Sequence, residues 1–151
     1  MSSPTADHDR RPDAPGRILV VEDDEDDLLF LRRAFERVGL RAPISAVTDG
    51  DAAVAYLAGT GPYADRAAYP PAERVLLDLK LPRRSGLEVL RWIRSHPAHR
   101  ELPVILLTSS DDPSDVAAGR ALGIDAYLVK PVGFGELVQV AREIVRAWEI
   151  P

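Results

Sequence analysis

Short apolar runs alternate along the chain with stretches whose apolar residues recur every three or four positions. The first run, Arg17-Ile18-Leu19-Val20-Val21-Glu22, is short and β-branched and predicts a strand. Leu28, Leu31, Phe35 and Val38 follow at helical spacing, and Gly39 stops that helix. Ile44-Ser45-Ala46-Val47 predicts the second strand. Asp49-Gly50 then turns the chain into a helix with Ala53, Tyr56 and Leu57 on one face. Gly59 to Glu73 reads as a loop, broken by Gly59, Gly61, Pro62, Pro70 and Pro71. It is long for a compact domain, which implies either a role or mobility.

The alternation then resumes. Arg74 to Asp78 predicts the third strand, and a helix from about Ser85 turns Leu87, Leu90 and Ile93 inward until Pro97 closes it. Pro103 to Thr108 is almost wholly apolar, as a central parallel strand should be. A weaker helix spans roughly Pro113 to Leu122, and Ala126 to Lys130 predicts the fifth strand. Leu137, Val140, Ala141, Ile144, Val145 and Trp148 give the last helix the strongest pattern. Five βα units of this kind predict an α/β domain with a parallel sheet over residues 17–151.

Composition narrows the function. The chain has 151 residues, and a 46% hydrophobic fraction is enough for one normal core. A net charge of −5 argues against a broad nucleic-acid footprint, although Arg83, Arg84, Arg91 and Arg94 lie close together. The absence of cysteine removes disulfides, zinc–thiolate sites and thiol nucleophiles, and suits a cytoplasmic protein. Residues 1–16 are polar and proline-containing, without the apolar core of a signal peptide, and read as a disordered lead-in. No run is long enough to span a membrane.

In an open parallel sheet, ligands sit beyond the C-terminal ends of the strands. Strand one ends on Glu22 and Asp23, strand three on Asp78, strand four on Thr108 and Ser109, and strand five on Lys130-Pro131. Glu22 to Asp27 is an unbroken acidic run. The helix dipole accounts for Asp26 and Asp27, and a cap for Asp24, but neither explains Glu22 and Asp23. A bound hard cation such as Mg²⁺ and a solvated acidic face both remain open for that pair. Asp78 closes an apolar strand, where a carboxylate needs a partner. It is either a structural cap or ion pair with Lys130, or a nucleophile that forms an acyl phosphate. Thr108 and Tyr127 alone carry little information.

Taken together, these residues resemble the receiver domain of two-component response regulators. The matching pieces are Ile18 to Asp24, Leu76 to Pro82 with Ser85-Gly86-Leu87-Glu88, Pro103 to Thr108, and Ala126 to Pro131. Their shared order and spacing make the resemblance specific, and it extends from about Arg17 to Trp148. It implies a flavodoxin-like three-layer sandwich, with five strands in the order 2-1-3-4-5 and five helices. It also implies that Asp78 is the phosphoacceptor and that Mg²⁺ is held by Asp23, by Glu22 through a water, by Asp78 and by the backbone carbonyl of Lys80. Thr108 would be the switch hydroxyl, Tyr127 the aromatic that swings behind it, and Lys130 the cation that follows the phosphoryl group.

Within the family, the chain is most similar to small stand-alone regulators paired with bacterial phytochromes. Glu22-Asp23, the long loop before strand three and a last helix reaching Ala147-Trp148 carry that likeness. It implies a histidine kinase partner of phytochrome type and a homodimer formed through the last helix and its neighbours, with neither nucleic acid nor membrane as partner. Trp148 is then an interface candidate, with closure of the core as the alternative. Lys80 stands where many relatives carry Asn, which leaves the carbonyl ligand intact and adds a cation near the phosphate. Two other functions compete. A haloacid-dehalogenase-type phosphatase would need a second Asp at the position of Lys80. A pseudo-receiver docking module would be expected to lack one of Asp78, Thr108 and Lys130.

Overall fold

The computed structural model describes residues 16–150. The lead-in read as disordered therefore lies outside the described residues, Gly16 excepted. The strands are β1 (Ile18–Val21), β2 (Ile44–Val47), β3 (Arg74–Leu77), β4 (Val104–Thr108) and β5 (Ala126–Val129). The helices are α1 (Glu25–Arg37), α2 (Gly50–Ala58), α3 (Gly86–Ser95), α4 (Pro113–Ala121) and α5 (Phe134–Ala147). All strand pairs are parallel, in the order β2-β1-β3-β4-β5, which is the expected flavodoxin-like arrangement.

Strand alternation sorts the core into two layers. Ile18, Val20, Leu76, Ile105 and Leu107 face α1 and α5, meeting Leu31, Phe35, Val138, Ala141 and Ile144. Leu19, Val21, Val75, Leu77, Val104 and Leu106 face the other way, toward Tyr56 and Leu57 of α2 and Val89, Leu90 and Ile93 of α3. Each large side chain buried in this way contributes about 1.5–3 kcal/mol. Side-chain caps fix where the helices start, and hence how the loops above the sheet are aimed. Asp24, Asp49, Ser85 and Asp112 accept from backbone N–H groups of Asp27, Ala52, Glu88 and Ser114 at 3.0, 2.7, 3.2 and 2.9 Å.

The helix faces differ slightly from the periodicity reading. In α3, Val89 is fully buried while Leu87 is only half-buried, and in α5 Val138 is buried where Leu137 is half-buried. Leu90, Ile93, Ala141 and Ile144 are buried as the pattern implied, so Val89 and Val138 widen the buried face rather than replace it. The segment from Gly59 to Glu73 is anchored rather than loose. It contains a 3₁₀ turn (Gly61–Tyr63), and Tyr63 packs at 5.2 Å from Tyr56 and 5.1 Å from Tyr69. Arg66 donates to the Tyr56 carbonyl at 2.8 Å, and the Tyr56 hydroxyl donates to the Pro70 carbonyl at 2.6 Å.

Trp148 lies in the first core layer, 6% exposed, and its indole N–H donates to Asp125 at 2.9 Å. Core closure accounts for it, so the interface assignment loses its anchor: little of the ring remains for a second copy to cover.

Candidate functional site

Strand pairing brings the chemistry together. The Asp78 N–H donates to the Val21 carbonyl at 3.1 Å, and the Lys130 N–H donates to the Thr108 carbonyl at 2.8 Å. The ends of β1, β3, β4 and β5 are thereby held at one level, with Glu22, Asp78, Thr108 and Lys130 along one edge. Glu22 and Asp78 are each only 5% exposed. Isolated carboxylates so buried would be costly, and the compensation is the Lys130 ammonium. It donates to Asp78 Oδ2 at 2.7 Å, pairs with Glu22 Oε1 at 2.5 Å and donates to Asp27 Oδ2 at 3.0 Å.

Electrostatics follow from that geometry. Burial alone would depress the Lys130 pKa, but the hydrogen bonds to Asp78, Glu22 and Asp27 outweigh it and hold the amine above its ordinary value. Burial pushes Glu22 above the usual carboxylate range, and its bonds to Lys130 and to the Asp24 N–H only partly oppose this. One ammonium thus meets three carboxylates, and exposed Asp23 adds a fourth beside Glu22 and Asp78. Glu22, Asp23 and Asp78 can each place an oxygen within 4.8 Å of the others. An all-oxygen, negatively charged set with one solvent-facing member suits a hard divalent cation such as Mg²⁺ or Mn²⁺.

The loop after Asp78 is held from two sides. The Lys80 N–H donates to Asp78 Oδ1 at 3.2 Å, and the Gly86 N–H donates to the Leu79 carbonyl at 2.9 Å. A Cβ at Gly86 would lie 2.1 Å from the Asp78 carbonyl oxygen, so only glycine lets α3 start this close. The Gly50 N–H donates to Pro82, while Arg84 pairs with Asp51 at 3.1 Å and Arg83 with Asp49 at 3.6 Å. Arg94 donates to backbone carbonyls at the opposite edge of the sheet. Three members of the arginine cluster therefore have structural partners.

Thr108 is fully buried, and its hydroxyl accepts from the Ser110 N–H at 3.4 Å. Tyr127 is half-buried and donates to the Ser110 carbonyl at 2.7 Å. Both expected switch residues thus converge on Ser110, whose hydroxyl donates to Asp115 at 2.7 Å. Sequence reasoning missed Ser110, since a serine after a strand carries no distinguishing signal. It also assigned Asp27 to the helix dipole alone. The available signal was spacing: a residue in the first turn after a strand end can fold back over that end.

A family model for the response regulator receiver domain matches residues 18–142. The probable methanogenesis regulatory protein FilR2 of Methanothrix harundinacea is 36% identical over 137 residues, covering 89% of this chain and 84% of that protein. The crystal structure of the phosphorylated cyanobacterial phytochrome response regulator RcpA superposes with a TM-score of 0.82 at 31% identity, covering 90% of this chain and 95% of that one. The Mn²⁺-bound form of response regulator Rcp1 from Synechocystis superposes with a TM-score of 0.80 at 32% identity, covering 89% and 94%. Fold, strand-end chemistry and these likenesses agree, and the chain belongs to the response regulator receiver family.

Proposed function

We propose that the chain is a phosphorelay response regulator that takes a phosphoryl group from a histidine kinase onto Asp78. The observation that carries this reading is the buried Asp78 carboxylate bonded to Lys130, beside two further carboxylates that can share a cation with it. An Asp78 oxygen attacks phosphorus in line. The new O–P bond forms as the N–P bond of phosphohistidine breaks, and the electron pair returns to the imidazole nitrogen. Glu22, Asp23, Asp78 and the Lys80 carbonyl would hold Mg²⁺, which would supply charge neutralisation for the transfer. Lys130, now bonded to Asp78, keeps its ammonium on a phosphoryl oxygen.

The readout follows from Ser110. Thr108 turns its hydroxyl to the phosphoryl group and gives up the Ser110 N–H, and Tyr127 gives up the Ser110 carbonyl and moves inward. That biases the surface of α4, β5 and α5, a local charge event acting on a two-state element. The protein signals rather than turning over a substrate. The exposed side chain of Lys80 occupies the position where a phosphatase would carry its acid.

The partner reading rests on likeness and on surface. RcpA is a phytochrome response regulator, and a further similar structure is a response regulator in red light signaling of R. palustris, which supports a phytochrome-type kinase. A cleft of about 220 Å³ beside Lys130 is edged by exposed Phe30, Val132 and Phe134, apolar surface suited to a docking kinase helix. The exposed Val129 on edge strand β5 supports a homodimer through β5 and α5. No helix among the described residues is long and apolar enough to cross a membrane, which is compatible with a cytoplasmic site of action.

The test is Mg²⁺-dependent labelling by a small phosphodonor. Wild type takes up label and Asp78→Asn takes up none. Equal labelling of the two removes Asp78 as acceptor.

A further inference from the structure

The Lys130 ammonium has three N–H donors and three carboxylate partners. Two of them, Glu22 and Asp78, also belong to the cluster that can hold a cation, together with Asp23. Asp27 does not. A divalent cation and the lysine therefore compete for the same two carboxylates, while Asp27 serves the lysine alone. Its side chain is 46% exposed, whereas that of Lys130 is only 16% exposed. A lysine losing two buried partners has little water to turn to, and an uncompensated buried ammonium is strongly unfavourable.

On the reading that this site loads Mg²⁺ before phosphoryl transfer, we infer that Asp27 is a positioning residue that holds Lys130 as the cation takes Glu22 and Asp78, and so sets the affinity of the cation site. Asp27 suits that role. The Asp24 cap fixes the start of α1 through the Asp27 backbone N–H, which leaves the Asp27 carboxylate for Lys130. The flexible lysine stem can pivot between Asp27 and Asp78, 3.0 and 2.7 Å from Nζ, without leaving the site. Without Asp27, the lysine has only the two carboxylates that the cation needs, and it competes harder for them.

The experiment is calorimetric titration of Mg²⁺ into the full chain, comparing wild type with Asp27→Asn and Asp26→Asn. Asp26 is exposed and stands outside the Lys130 cluster, so its variant removes one equal charge from the neighbouring position. Asp27→Asn is expected to weaken Mg²⁺ binding roughly five- to tenfold, the scale of one charge-assisted hydrogen bond, against about twofold for Asp26→Asn. In a Lys130→Met background the two substitutions are expected to be equivalent, because the competitor is gone. Phosphodonor labelling should show the same split. In Asp27→Asn the half-saturating Mg²⁺ rises while the rate at saturating Mg²⁺ holds.

Equal effects of Asp27→Asn and Asp26→Asn in wild type overturn the inference. So does an excess effect that persists without Lys130, or a lower maximal rate at unchanged half-saturation. Wild type that binds no Mg²⁺ overturns the loaded-site reading and this inference with it. Wild type that binds while the variants match overturns the inference alone.

Discussion

Two half-buried cations hold the two ends of the sheet, and they are partnered in opposite ways. At the N-terminal edge, Arg94 donates to the carbonyls of Leu122, Arg100, Leu102 and Gly123 at 2.6 to 3.1 Å. At the C-terminal edge, Lys130 donates to three carboxylates. Backbone carbonyls cannot titrate, bind a phosphoryl group or move far, so the Arg94 cluster has a single arrangement. Carboxylates can trade a lysine for a metal ion, and a carboxylate can become an acyl phosphate. The first cluster stitches loops, while the second carries excess negative charge that a ligand can relieve. A half-buried cation marks a functional site when its partners can change, not merely because of its burial.

The contrast predicts different behaviour on deletion. Lys130→Ala should have the largest effect, because it strands the buried Glu22 and Asp78 beside Asp27. Breaking such a cluster costs about 3 kcal/mol, the low end for a buried ion pair given its partial hydration. Excess Mg²⁺ should recover most of that loss by replacing the missing positive charge. Urea unfolding with and without Mg²⁺ measures both quantities. A loss that Mg²⁺ leaves untouched would mean that the two cations do not share ligands.

Gly86→Ala comes next, at about 2 kcal/mol for overpacking against the Asp78 carbonyl. Because the displaced backbone is that of Asp78, phosphodonor labelling should slow as well. Unchanged labelling in a destabilised variant would show that the loop absorbs the methyl elsewhere. Arg94→Ala should cost a similar or slightly smaller amount, about 1.5–2 kcal/mol, since its orphaned carbonyls are partly reachable by water. Labelling of the folded variant should match wild type. Slower labelling at equal folded fraction would break the separation between the two ends.

The smallest effect belongs to His99, in the loop that Arg94 clasps. Burial, then the charges of His96 and Arg66, hold its pKa below the ordinary 6.5. A base with a depressed folded pKa binds protons more tightly when unfolded. Its contribution is therefore present above pH 6.5 and is lost as pH falls toward the folded value. Unfolding midpoints followed through that window should decline on acidification, and His99→Phe should shallow the decline. The stack on Trp92, 5.4 Å between ring centres, should survive the substitution. An unchanged slope would place the proton uptake on another group.

Much of this was readable in the sequence because the central strands β1, β3 and β4 are buried on both faces. Apolar runs left little choice of boundary there: the run that ends on Thr108 is β4, Val104–Thr108, in the structure. The residue after each run then had to be the one at the sheet edge, so Glu22, Asp78 and Lys130 could be placed together before any coordinates. Periodicity says less about how wide the buried face is. In α3 and α5 several adjacent positions are apolar, and only packing on the sheet decides that Val89 and Val138 are buried while Leu87 and Leu137 stay half-buried.

Asp27 was hidden for another reason. The helix dipole already explained an acid in the first turn, and nothing local reveals that this acid reaches a lysine 103 positions away. Trp148 was ambiguous because an apolar residue near a helix end serves a core or an interface equally well, until Asp125 is seen to accept its indole N–H.

The central claim is that one buried carboxylate, Asp78, becomes the acyl phosphate. The most direct measurement is intact-mass analysis of the full chain after Mg²⁺ and a small phosphodonor, followed by mapping of the modified peptide. The account predicts a single phosphoryl adduct, on the peptide containing Asp78 and absent from Asp78→Asn. An adduct on any other residue, or one that survives in Asp78→Asn, would contradict it.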